Sequence, residues 1–250
     1  MRVSLYGELL MEIRRLHVAG TSFGISKKGN IKCVAEELIS DSPSLPKIIN
    51  IIESDPGLSV SVIKLANCTI INGAAAKKIT VKQAIIRIGF VGIDSAIKLH
   101  QAKMLKQSVA SKSWRDSMDK SLDKALIAGA LSYKIAMMFT GKRADAELSL
   151  NLSILYSLGI FAKIIAADSL GYDNNAQNRK FVLENSAVAA EAVLITASAS
   201  YELIRFIEKI ESECDQDICV TSARAGWGFL NGTMGKVAFN GVEIDKKRLM

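Results

Sequence analysis

Proline, histidine and aromatic residues are all scarce in this chain. Its three prolines, Pro43, Pro46 and Pro56, stand within one short segment, and none follows up to residue 250. That long proline-free remainder suits uninterrupted helices, because proline breaks a helix interior. The two histidines, His17 and His100, fall on different predicted helices, and neither belongs to an HxH or HxxxH pattern. A catalytic zinc needs two or three His or Cys ligands beside an open position, so the obvious ligand sets are missing. Aromatics make up 6% of the residues, too few for a platform on which bases stack. No alternating strand pattern exceeds a few residues before the C-terminus. Nor does any run approach the ~18 apolar residues of a membrane span. The opening "MRVSLYGELLMEIRRLH" carries Glu8, Glu12, Arg14 and Arg15 among its apolar positions, so it reads as an amphipathic helix rather than a secretory signal. The expected location is cytoplasmic, with the four cysteines reduced.

What is present favours helix. Ala, Ile, Leu, Lys and Glu are abundant, and 49% hydrophobic with 23% charged residues is an ordinary globular balance. Leu5, Leu9, Leu10, Ile13 and Leu16 recur at helical spacing. "IKCVAEELIS" resumes a helix, and Ser44 is placed to cap the next one, with Pro46 in its first turn. Asp55 then reads as an N-cap with Pro56 at the first helical position, turning Leu58, Val62, Ile63 and Leu65 or Ala66 inward. After a turn at Asn72-Gly73, Thr80 caps "VKQAIIRIG", whose stripe of Ala84, Ile85 and Ile88 ends at Gly89. Longer helices follow at roughly 91–108, 114–139, 145–169, 180–198 and 201–213. The last segment differs. It holds five of the seventeen glycines and two strand-like runs, "ICV" and "KVAF", compatible with a hairpin, an extended arm or a tail. The fold expected is all-α, a multi-helix bundle, with residues 1–28 as an N-terminal helix and loop arm, 29–213 as the main domain, and 214–250 as an extension.

The formal charge is +7, and the basic excess is densest from Lys98 to Lys124. Lys98, Lys103, Lys106, Lys112 and Arg115 are the candidate contact patch. With Trp114 as the sole aromatic among them they read first as a solvated helix face, and only second as a nucleic-acid surface. Catalytic patterns are wanting. Cys214 and Cys219 form a lone CxxxxC, and Cys33 and Cys68 lie among apolar residues as small core side chains. His100 could serve a serine nucleophile only through long-range folding, and no GxSxG elbow occurs. "GWGFLNGTMGKV" lacks a phosphate loop's spacing, with Leu230 and Val237 where Gly and Ser or Thr are needed.

The block "DPGLSVSVIKLANCTIINGAAAKKITVKQAIIRIGFVGIDSAI" resembles the HDOD family, the HD-related output domain of bacterial signalling proteins. The family pattern falls on Asp55-Pro56, Leu65-Ala66-Asn67-Cys68, Ile79-Thr80, Ala84-Ile85 and Ile88-Gly89. Looser agreement runs from about residue 29 to 213, with "GNIKC" replacing the family's Leu-Pro entry. The resemblance implies a helical bundle related to the HD phosphohydrolases, whose His-Asp metal pair lies in "LLHDIG". The equivalent stretch here is "ILYSLG", ending at Gly159, so Tyr156 and Ser157 stand where His and Asp would be. The later regions in which many members keep histidines read "ENSAVAAEAVLI" and "YELIRFIEKIES" here, without one.

Tyrosine (pKa ~10) and neutral serine are poor divalent ligands near pH 7. The resemblance therefore implies a degenerate site, with no catalytic residue, metal or cofactor. Asp55, Pro56, Leu65, Asn67, Thr80, Ala84, Gly89 and Gly159 are expected to be structural. Asn67 in particular should bond backbone of the connector. The function implied is a stand-alone, non-catalytic signal-transduction module acting through protein partners, with a surviving groove near Tyr156 as one contact surface. A divergent metal-dependent phosphohydrolase is the alternative, and a nucleic-acid-binding regulator the second. No membrane partner is expected, and nothing in the motifs specifies partner identity or oligomeric state.

Overall fold

A computed structural model describes residues 5–21, 23, 29–68, 79–196, 199–212, 217–239 and 241–245. Among them are eleven α-helices, a short 3-10 turn and one two-stranded sheet, an all-α architecture as the composition predicts. The helices are α1 (Leu5–Val18), α2 (Gly29–Leu38), α3 (Leu45–Glu53), α4 (Pro56–Cys68), α5 (Val81–Leu105), α6 (Lys112–Thr140), α7 (Arg143–Ser169), α8 (Ala176–Leu183), α9 (Ala187–Thr196), α10 (Tyr201–Lys209) and α11 (Ile218–Asn231). The turn at Asn72-Gly73, the connector that Asn67 was to bond, and Cys214 lie outside the described residues.

The bundle is organised around α7, which packs against α1, α5, α6, α9 and α11. Every α7 residue from Ser149 to Ala167 is buried. The sequence explains this: "SLNLSILYSLGIFAKIIAA" has no polar face, and a helix apolar all round must be enclosed. By length and composition α7 could cross a membrane, but its apolar window lies wholly inside the fold.

Helix ends follow local chemistry. Thr80 and Gln83 form a reciprocal capping box at the start of α5. Asp55 accepts the Leu58 amide at 3.0 Å, capping α4. Ser44 occupies the N-cap of α3 without a side-chain cap bond; its amide instead donates to the Glu37 carboxylate at 2.8 Å. Leu58, Val62, Leu65 and Ala66 are the buried face of α4, and Ala84, Ile85 and Ile88 that of early α5. At Gly89, φ of 68° kinks α5, a left-handed setting that disfavours any side chain.

Both ends of the chain join the bundle. On α1, Glu12 accepts from Ser169 at the end of α7, and Glu8 from Tyr172. At the other end, "ICV" opens α11 instead of a strand, because Asp217 caps the Cys219 and Val220 amides. That helix packs on α6 and α7. "KVAF" does form a strand. β1 (Lys236–Phe239) pairs antiparallel with β2 (Val242–Asp245), Val237 opposite Ile244, and the hairpin closes a small cluster with Ile135, Ala225 and Phe229. The helix predicted at 180–198 is two, α8 and α9, separated where Asn185 takes a φ of 49°.

Candidate functional site: a polar knot around Tyr156

Tyr156 and Ser157 lie mid-way along α7, and both are buried, at 9% and 0% exposure. The groove expected beside Tyr156 is therefore absent from the surface, and the expectation is corrected. The polar pair reads as exposed in sequence, yet each side chain finds a partner inside. Ser157 donates to the Ile154 carbonyl one turn back, at 2.6 Å. Tyr156 donates to the Glu211 carboxylate at 2.7 Å and accepts from the Ser186 amide at 3.2 Å. The same Glu211 oxygen accepts the Ala187 amide at 3.2 Å, so a carboxylate from the end of α10 sits on the N-terminus of α9. The helix dipole favours negative charge there. The Tyr156 ring packs against Trp227 of α11, with centroids 5.4 Å apart.

Further along α7, Lys163 is completely buried. Its ammonium donates to the Glu184 and Asn185 carbonyls in the α8–α9 turn. It also lies 5.9 Å from the centroid of the Tyr6 ring on α1. Burial lowers the lysine to about 8, against the upward pull of Glu211 and Glu184. Burial and the Glu211 charge likewise push the Tyr156 and Tyr6 phenols upward. Gly159 makes the close packing feasible: a Cβ there would stand 2.2 Å from the Ser186 carbonyl oxygen and 2.6 Å from the Ala190 nitrogen. Its structural expectation thus has a steric cause, the close approach of α7 to the start of α9.

The donor set does not fit a divalent cation. A protonated phenol and an alcohol replace imidazole and carboxylate, and the remaining carboxylate, Glu211, is bonded to Tyr156 and Ala187. A fixed ammonium on the same helix adds repulsion toward a cation. Among the described residues no three His, Cys, Asp or Glu side chains converge as a ligand cluster. Cys219 is buried, with its thiol pushed up to about 11 by burial and directed to the Asp145 carbonyl.

Other candidates are dispersed. His100 on α5 does meet a serine, Ser61 of α4, at 3.3 Å through Nδ1. The Ser61 hydroxyl also has the Gly57 carbonyl within reach at 3.1 Å, so the ring competes with a backbone acceptor for its proton. Burial holds His100 below its ordinary value. In the basic stretch, Lys98 pairs with Asp94 and Lys106 with Asp119, while Lys103, Lys112 and Arg115 are spread over α5 and α6. Asn67 is half-buried at the end of α4, its Oδ1 without a hydrogen-bond partner among the described residues.

Sequence reading missed Lys163, Glu211 and Trp227 as parts of this arrangement. One signal was available: Lys163 is an isolated charge within an apolar stretch, and lysine is almost never fully buried unless paired.

The comparisons with known proteins bear on the family and the fold. The HDOD domain family profile matches residues 30–169, more than half of the chain. The chain belongs to the HDOD family. A crystal structure from Shewanella amazonensis SB2B, of a protein named "Putative metal-dependent phosphohydrolase", superposes with a TM-score of 0.62. It is 18% identical, over 90% of this chain and 85% of that one, a likeness of fold. No curated protein matches the sequence.

Proposed function

We propose that this HDOD domain is a non-catalytic regulatory module that works through protein contacts. The observation that carries the reading is the bonding around Tyr156, the residue that the family resemblance sets where the His of a metal pair would be. Its phenol is bonded to Glu211 and the Ser186 amide, Glu211 to the Ala187 amide, and Lys163 to the Glu184 and Asn185 carbonyls. A hydrolytic metal centre needs lone pairs free to bind the ion and an open coordination position for water. Here the nearest carboxylate caps a helix, and the adjacent positive charge is a lysine.

A contact function requires a surface. The groove between α1 and α9, lined by Leu10, Ile13, Arg14, Val188, Glu191 and Ile195, has a volume of about 450 Å³. Val188 and Ile195 stand exposed along it, an apolar strip flanked by one charge of each sign. Such rimmed apolar surface is typical of interaction sites. The basic stretch supports nucleic-acid binding less well, since Lys98 and Lys106 are neutralised within the fold.

The test has two arms. Purified protein supplied with Mn²⁺, Fe²⁺ or Zn²⁺ is assayed on nucleotides and phosphodiesters, with no turnover expected. In parallel, chemical cross-linking in the native host is compared for the wild type and Val188→Glu/Ile195→Glu. Loss of a specific cross-linked partner in the double variant supports the reading. Metal-dependent turnover would overturn it.

A further inference from the structure

A second concavity lies away from the polar knot, where α4, α5 and α6 meet. Its volume is about 380 Å³, within the ordinary range for small-molecule sites. Val60, Leu99, Leu122 and Leu126 supply apolar lining, and Lys64, Lys103, Asp119 and Asp123 supply charge. The spacing explains why three helices present this surface together. Val60 and Lys64 are one turn apart on α4, as are Leu99 and Lys103 on α5. Asp119, Leu122, Asp123 and Leu126 share one face of α6.

The charges are not equivalent. Asp119 is neutralised by Lys106, which stands outside the cavity lining. Lys64, Lys103 and Asp123 have no ion-pair or hydrogen-bond partner among the described residues. Two free ammonium groups against one free carboxylate leave the cavity with one net positive charge. Val60, an exposed apolar side chain at 46%, adds surface that gains from being covered.

We infer that this cavity binds a small amphiphilic anion, its single acidic head between Lys64 and Lys103 and its apolar body over Val60, Leu99, Leu122 and Leu126. The volume suits a body of roughly ten non-hydrogen atoms. The two lysines provide charge-assisted hydrogen bonds to a singly charged head such as a carboxylate or a sulfonate, and the apolar lining provides most of the attraction. Asp123 on the facing helix discriminates against heads carrying more than one negative charge, by like-charge repulsion. The site is independent of the regulatory reading, and its loss would leave that reading standing.

The test uses the full chain with 8-anilinonaphthalene-1-sulfonate, a fluorescent anion with an apolar body. Saturable fluorescence is expected on the folded protein, with displacement by octanoate and not by octylammonium at equal concentration. Octyl phosphate, whose head carries more than one negative charge near pH 7, is the second competitor; it should displace the probe less well than octanoate, and stronger displacement overturns the selection for a singly charged head. Lys64→Gln/Lys103→Gln should weaken probe binding about tenfold, and Val60→Trp/Leu126→Trp, which fills the cavity, should abolish it. Thermal melts confirm that both variants are folded; should the filled variant melt early, the lysine variant alone decides. Unchanged probe affinity in a folded variant, or displacement by octylammonium as good as by octanoate, overturns the assignment.

Discussion

The surroundings of Tyr156 and the cavity between α4, α5 and α6 are in opposite states. Around Tyr156 the phenol, Ser157, Glu211 and Lys163 are each bonded to another part of the chain. The Ser153 and Ser186 hydroxyls are buried without a hydrogen-bond partner among the described residues, and the space is closed by Trp227 and by the contact of Gly159 with α9. Between α4, α5 and α6, Lys64, Lys103 and Asp123 lack ion-pair or hydrogen-bond partners among the described residues, and the apolar lining is open. Polar groups locked inside a bundle strengthen one packing arrangement and leave nothing to offer a ligand. Unpaired charges at a cavity mouth add little to folding and remain available to a visitor. The surroundings of Tyr156 act as a structural joint between α7, α9 and α11.

That contrast breaks most readily at Gly159. Gly159→Ala forces a methyl against the Ser186 carbonyl and the Ala190 nitrogen, so α7 and α9 must separate. We expect a loss of about 3 kcal/mol in urea unfolding. An effect below about 1 kcal/mol would show that the helices are less tightly joined than described here.

Lys163 sharpens the comparison through pH. Its folded value of about 8 lies below the ordinary 10.5, so between these limits the unfolded chain binds more protons and stability rises with pH. Below pH 8 the burial penalty is fully present. Relative to Lys163→Met, the wild type should gain on the order of 3 kcal/mol across that window. A flat difference from pH 7.5 to 10.5 would mean that the ammonium is well solvated or fully compensated.

Tyr156→Phe removes one hydroxyl and leaves Glu211 and the Ser186 amide each short of a partner. The expected loss is about 2 kcal/mol by chemical denaturation, with the helical circular-dichroism spectrum unchanged. By contrast, Lys64→Gln/Lys103→Gln at the open cavity should alter stability by less than about 0.5 kcal/mol. A large cost there would move those lysines from ligand binding to fold maintenance.

Much of the fold was legible because its signals are local. Asp55-Pro56 and Thr80 mark helix starts, and the Ala84, Ile85 and Ile88 stripe marks a buried face. The C-terminal segment was harder, since β-branched "ICV" resembles a strand until Asp217 is seen to cap it. Gly226 reads as a turn former, but its role is contact: a Cβ there would stand 2.5 Å from the Ala128 carbonyl of α6. The resemblance drew attention to Tyr156-Ser157 as the pair standing where His and Asp would be. The closure around that pair was not legible, because Glu211, Lys163 and Trp227 reach the position from three different helices or their ends, and no sequence spacing records that meeting.

The most direct measurement is metal content. After the purified chain is exposed to Fe²⁺, Mn²⁺ or Zn²⁺ and exhaustively dialysed, elemental analysis should find far less than one ion per chain, unchanged by Glu211→Gln. One firmly held ion per chain, released by that substitution, would contradict the claim that side chains bonded to each other have taken over the ancestral ligand position.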